Sequence, residues 1–216
     1  MNKKVVIFDL DGTLLDSLDD IAISANAVLK KLGLPSHKDE AFKKFIGDGA
    51  RMLMKRALPK NSDENTIKKA LELFTEIYSQ TIHENTKPYD GIYEMLESLK
   101  QKGYILNLLS NKPQQFTLKY YDKFFSQFDF AYVYGQSDEH PKKPDPTTAL
   151  KIAKNLDVNP SEIYFIGDTS TDMQTAKNAG MKSIGVLWGI RDENELITNG
   201  ATHIINEPKE IIDIVL

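Results

Sequence analysis

Val5-Val6-Ile7-Phe8 is a run of β-branched and aromatic residues that breaks off at an aspartate, the pattern of a short buried strand. From Leu18 the apolar positions change period. Leu18, Ile21, Ala25, Val28, Leu29 and Leu32 recur at helical spacing, so one face of a helix is apolar. Asp16 or Ser17 stands where a cap belongs, and Gly33 with Pro35 ends the helix. The spacing next predicts a short helix over Ala41–Phe45, a break at Gly47-Asp48-Gly49, and helix again from Ala50 to Leu58. A long amphipathic helix follows, capped by Asp63, with Ile67, Ala70, Leu71, Phe74, Ile77, Tyr78 and Thr81 on one face. About seventy residues therefore carry helix and no strand signal.

Lys87-Pro88-Tyr89-Asp90-Gly91 punctuates the chain, and strands then alternate with helices. Apolar strands are expected at Tyr104–Leu109, Ala131–Tyr134, Ile163–Ile166, Ser183–Leu187 and His203–Ile205. Helices are expected from Ile92 to a stop at Gly103, from Pro113, over Pro146–Leu156, over Met173–Asn178 with Gly180 closing, and from Pro208. Alternation of this kind implies an α/β fold, a doubly wound parallel sheet with helices on both faces. The helical stretch interrupts it after the first strand. It should form a separate all-helical cap over residues 16–86, on the sheet edge where such folds bind ligands. The core would be 1–15 and 87–216, with hinges at Asp16-Ser17 and Thr86-Lys87-Pro88.

Composition narrows the chemistry. There is no cysteine among the 216 residues, which removes disulfides, thiolate metal sites and a thiol nucleophile. The four histidines, His37, His83, His140 and His203, are not spaced as zinc ligands. A net charge of −4 with no basic stripe argues against nucleic-acid or membrane surfaces. The apolar run at the start is too short for a signal peptide, and none approaches a membrane span. The expected location is cytoplasmic.

Polar residues gather at three strand ends: Asp9 and Asp11 after the first, Ser110-Asn111 after the second, and Gly167-Asp168-Thr169 with Asp172 one turn later. Residues two apart on a strand point the same way, and parallel strands bring all these ends to one edge. Asp9, Asp11, Asp168 and Asp172 together need a compensating cation, and Mg²⁺ suits carboxylates, waters and a phosphate oxygen. Lys143, ahead of Pro144-Asp145-Pro146, is a candidate for further positive charge. With no cysteine and no Ser-His pair, a carboxylate is the best available nucleophile. An aspartate can accept a phosphoryl group, and Asp11 can serve as acid toward the leaving alkoxide and then as base for water. In the helical segment, the Gly47–Gly49 turn could offer N–H groups to an anion, and Arg51 is a candidate for a substrate carboxylate.

Asp9-Leu-Asp-Gly-Thr13, Ser110, Lys143-Pro-Asp-Pro and Gly167-Asp-Thr-Ser-Thr-Asp172 resemble, in order, the four motifs of the haloacid dehalogenase (HAD) superfamily. The helical insertion after the first motif is similar too. Gly167 through Gly180 and Gly185-Val-Leu-Trp-Gly189 resemble its phosphoglycolate phosphatase-like branch. The resemblance implies a Rossmann-like HAD core with Asp9 as nucleophile and Mg²⁺ ligand. Asp11 would be the acid/base and give its carbonyl to the metal. Asp168 would be a ligand, and Asp172 would support the metal or Lys143. Ser110, the Asn111 backbone, Thr13 and Lys143, with Lys142 as a rival, would meet the substrate. The expected activity is Mg²⁺-dependent hydrolysis of a small phosphorylated metabolite, phosphoglycolate first, through a phosphoaspartate. Alternatives are a β-phosphoglucomutase-like isomerase, another phosphatase or pyrophosphatase of this fold, or a phospho-acceptor module. The oligomeric state is left open.

Overall fold

β1 (Lys4–Phe8) is the middle of the molecule because both its faces are apolar. Val5 and Ile7 point into one core and Val6 and Phe8 into the other, as strand alternation requires. The computed structural model describes residues 3–81 and 84–215; the side chain of Thr81, and His83, lie outside the described residues. After β1 come β2 (Leu15–Asp16), α1 (Leu18–Lys31), α2 (Asp39–Phe45), α3 (Ala50–Ala57), α4 (Glu64–Thr81) and β3 (Lys87–Pro88). The remainder runs α5 (Ile92–Gln101), β4 (Tyr104–Pro113), α6 (Gln114–Phe124), β5 (Tyr132–Gln136), α7 (Thr147–Leu156), β6 (Ile163–Gly167) and α8 (Ser170–Ala179). It closes with β7 (Lys182–Val186), α9 (Glu193–Thr198), β8 (His203–Ile205) and α10 (Ile211–Val215).

Six strands form one sheet in the order β5-β4-β1-β6-β7-β8, and every pairing in it is parallel. The doubly wound α/β expectation is met. The chain builds outward from β1 through β4 to β5 and then crosses back to β6, so β1 lies between the two directions of winding. Crevices at the carboxyl end of such a reversal are where ligands bind in these folds. Ala149, Ile152 and Ala153 of α7 and Ala176 and Ala179 of α8 cover one face of the sheet. The other face continues through α5 and α6 into the helical insertion α1–α4, whose Ala25, Leu53, Phe74 and Tyr78 share its core.

Several local expectations are corrected. The insertion is bracketed by a two-stranded antiparallel ribbon, Leu15 opposite Pro88 and Asp16 opposite Lys87; two-residue strands leave no periodicity to read. Ser17 occupies the cap position of α1 but makes no cap bond; its hydroxyl donates to Asp11. β4 continues four residues past Leu109, with Pro113 paired to Gln136, so Ser110-Asn111 lies within the strand and does not end it. α8 starts at Ser170, earlier than its apolar positions imply, because Thr169 and Asp172 form a capping box. α9 has a single buried residue, Leu196, too little for a periodic signal. Asp63 caps α4 as expected, accepting from the Thr66 N–H at 2.8 Å.

Candidate active site

Three neighbouring strand ends converge. Asp9 directly follows β1, its N–H bonded to the Ile166 carbonyl of β6 at 2.9 Å. Asp168 directly follows β6, and Asp172 sits in the first turn of α8. Oxygens of all three carboxylates lie within 4.8 Å of one another, all buried. Lys143 Nζ is 2.7 Å from Asp9 Oδ1 and 2.6 Å from Asp172 Oδ1. The other Asp172 oxygen accepts from the N–H and hydroxyl of Thr169, at 3.0 and 2.7 Å. Asp172 is thus fully engaged in holding Lys143 and starting α8. Asp168 accepts from the Thr13 hydroxyl at 3.0 Å and from the Ile190 N–H at 2.9 Å.

Three buried acids lie together with one ammonium group, which pairs with Asp9 and Asp172, and the protonation of Asp9 and Asp168 reflects it. Burial and the neighbouring Asp172 push Asp9 up to about 7, although Lys143 pulls the other way. Burial, with Asp172 and Asp9 beside it, raises Asp168 well above the usual carboxylate range. Lys143 is held as a cation by Asp172 and Asp9 against the cost of its burial. This all-oxygen, charge-deficient cluster fits a hard divalent cation. The space is also kept for these carboxylates. A Cβ on Gly12, which has φ +86°, would come within 2.2 Å of Asp168 Oδ2, and one on Gly189 within 2.3 Å of Asp168 Cβ.

Asp11 lies on the cleft side. Ser17 donates to its Oδ1 at 2.5 Å, and Lys112 Nζ sits 2.9 Å from its Oδ2. Lys112 also donates to the Tyr78 hydroxyl of α4 at 2.9 Å and lies over the Tyr78 and Tyr120 rings. Ser110 Oγ accepts from the Lys112 N–H at 3.2 Å, which leaves its own proton free to donate. The Asn111 side chain bonds Gly47 O, Lys143 O and Lys143 N. It pins the insertion and the Lys143 loop to β4, so only its backbone can meet a ligand. Asp9, Asp11, Ser110, Asn111 and Lys112 open on a cleft walled by Ile21, Ile46, Leu53, Phe74 and Phe116.

The structure brings together Asp9, Asp11, Ser110, Asn111, Lys143, Asp168 and Asp172. Thr13 is beside them but orients Asp168. Two candidates are elsewhere. Arg51 is half exposed and paired with Glu64, and Lys142 donates to the Asp48 carbonyl at 3.3 Å. Asp48, in the turn read as an anion site, is paired with Arg56 and accepts from Thr171. Sequence reasoning passed over Lys112 and the Gly189-Ile190 turn. The signal for the turn was the Trp188-Gly189 pair, since the Trp188 indole N–H donates to the Thr13 carbonyl at 2.9 Å.

Relatives match this chain over nearly all of its length. A phosphoglycolate phosphatase of Vibrio parahaemolyticus is 32% identical, with 98% of this chain and 96% of that one covered. One from Pseudomonas syringae pv. tomato is 31% identical, over 97% of this chain and 78% of its own. A solved protein from Lactobacillus delbrueckii subsp. bulgaricus superimposes with a TM-score of 0.92 at 28% identity, covering 100% of this chain and 99% of that one. Residues 6–186, which contain every strand end described above, match the haloacid dehalogenase-like hydrolases, and the chain belongs to that family.

Proposed function

We propose that this chain is a Mg²⁺-dependent phosphomonoester hydrolase that works through a phosphoaspartate on Asp9, with phosphoglycolate, the compound in its relatives' names, as the first substrate to test. The observation that carries this reading is the meeting of Asp9, Asp168 and Asp172 around one point, with Asp11 beside them at the mouth of the cleft. Asp9, Asp168 and the Asp11 carbonyl would hold Mg²⁺, which supplies charge neutralisation for the nucleophile and the phosphoryl oxygens. Asp9 attacks phosphorus while the bond to the leaving oxygen breaks, and Asp11 gives that oxygen a proton. Water then attacks the same phosphorus, Asp11 takes its proton, and the bond to Asp9 breaks to release inorganic phosphate. Lys143, steadied by Asp172, balances charge at Asp9, and the Ser110 hydroxyl donates to a phosphoryl oxygen.

In the same reading the core is 1–15 and 87–216, the cap is 16–86, and closure about the β2–β3 ribbon keeps bulk water from the acyl phosphate. Among the described residues no helix is long and apolar enough to cross a membrane, and the reading keeps the cytoplasmic location expected from the sequence. The test is phosphate release from an aryl phosphate and from phosphoglycolate with Mg²⁺. Asp9→Asn should lower kcat by about 10³-fold or more. Wild-type turnover in that variant would remove the nucleophile assignment.

A further inference from the structure

The site has a nucleophile, an acid/base and a phosphoryl pocket, but the residue first read as a carboxylate receptor, Arg51, is turned to Glu64. The cations around the cleft are otherwise committed. Arg56 is paired with Asp48 and bonded to the Phe45 carbonyl. Arg191 is held by Glu195 and by the Lys43 and Ile46 carbonyls. Lys143 lies between Asp9 and Asp172. Among the described residues lining the cleft, Lys112 is the only cation.

Its position is specific. The Lys112 side chain is 4% exposed, and Nζ lies 2.9 Å from Asp11 Oδ2. A general acid must come within about 3 Å of the oxygen it protonates, so the ammonium is within about 6 Å of a leaving oxygen bonded to Asp11 Oδ2. A carboxylate on the carbon next to that oxygen has its own oxygens about 3 Å further along, which is within reach of Nζ. The Tyr78 and Tyr120 rings, 4.9 and 4.8 Å from Nζ, favour the cation through their faces, and with two of its three N–H donors on Asp11 and Tyr78 the ammonium keeps one for an anionic partner. Beyond it the wall is Ile21, Leu53, Phe74 and Phe116, which offers nothing to a second charge and limits length.

We propose that Lys112 is the specificity-determining residue of the cleft and receives the carboxylate of a short phosphoryloxy acid, one whose carboxylate is one carbon from the ester oxygen. The assignment rests on the phosphomonoesterase reading above. It makes the substrate class small carboxylated phosphomonoesters, in preference to neutral esters of the same size.

The experiment compares kcat/KM for phosphoglycolate and for ethyl phosphate, in which a methyl group replaces the carboxylate. Wild type should favour phosphoglycolate by at least about tenfold, and Lys112→Met should lower that ratio by about tenfold or more. The ratio cancels any effect of Lys112 on Asp11 that both substrates feel. Lys112→Arg, which keeps the charge, should recover most of the ratio. A Lys112→Met enzyme that slows on both substrates equally would overturn the assignment, as would a wild type without preference. Should the variants fail to fold, glycolate must still inhibit wild-type hydrolysis of ethyl phosphate competitively, with ethanol far weaker; equal inhibition refutes the proposal. An enzyme that hydrolyses neutral esters but not phosphoglycolate loses only the Lys112 assignment. One that releases phosphate from neither, nor from an aryl phosphate, loses the phosphatase reading and the assignment with it.

Discussion

Glycine 189 shows how tightly the acid cluster is framed at the scale of one residue. Its missing Cβ would stand 2.3 Å from Asp168 Cβ and 2.4 Å from the Gly12 carbonyl oxygen, and both are backbone or near-backbone atoms that cannot swing away. Gly189→Ala should therefore displace Asp168 and the Ile190 N–H that holds it. We expect Mg²⁺ to be needed at about tenfold higher concentration for half-maximal rate, because loss of orienting partners costs metal sites about that much. An unchanged Mg²⁺ requirement would mean that Asp168 is not a ligand. The acids themselves were legible in the sequence because apolar runs stop abruptly at them: Phe8 before Asp9, and Ile166-Gly167 before Asp168. Lys112 was not legible. Its position depends on two rings, from Tyr78 and Tyr120, that only the packing of α4 on α6 brings together. The bracing by the Asn111 and Thr13 side chains was not legible for a related reason: a polar residue near a strand end can face the ligand or brace its neighbours, and only its partners distinguish the two.

At the scale of elements, the two connections of the helical insertion meet in a small polar clamp. Asp20, in the first turn of α1 and 1% exposed, accepts from the Asn85 N–H and side-chain amide and from the Thr86 N–H and hydroxyl. It ties the outgoing chain at α1 to the returning chain just before β3. Asp20→Ala strands the buried Thr86 donors, whose desolvation is no longer repaid. The expected cost is about 3 kcal/mol, near 6–12 °C in Tm for a chain of this size. Asp20→Asn, which keeps shape but accepts fewer bonds, should fall between. Chemical denaturation of the two variants measures this, and a loss under about 0.5 kcal/mol in the alanine variant would rule out the clamp. The long helices α1 and α4 were read correctly because they repeat their apolar spacing several times. The ribbon β2–β3 was invisible because two paired residues have no period, and the clamp because its partners are 65 and 66 positions away along the chain.

The whole molecule carries an excess of acid where it can least shed it, and this couples stability to both protons and metal. Asp9 is raised to about 7 by burial and by Asp172, and Asp168 is raised as well. A carboxylate whose folded pKa lies above its unfolded one favours the folded state while protonated. That contribution is complete below pH ~4, the unfolded value, and is lost as pH climbs through about 7. Asp63 and Asp145 are lowered by their Thr66 and Thr147 partners. Their contribution is complete above the unfolded value, so it does not vary in this window. Lys143, raised by Asp172 and Asp9, stays charged throughout it. The metal-free chain should therefore lose a few kcal/mol between pH 5 and 8, seen as a falling Tm in EDTA. A divalent cation needs the same carboxylates ionised, so binding must expel their protons. Mg²⁺ should raise Tm more at pH 8 than at pH 5. Near pH 6, calorimetry in buffers of different ionisation enthalpy should register proton release on binding. A Mg²⁺ effect on Tm that is equal at the two pH values, with no protons released, would mean that the cation binds away from Asp9 and Asp168.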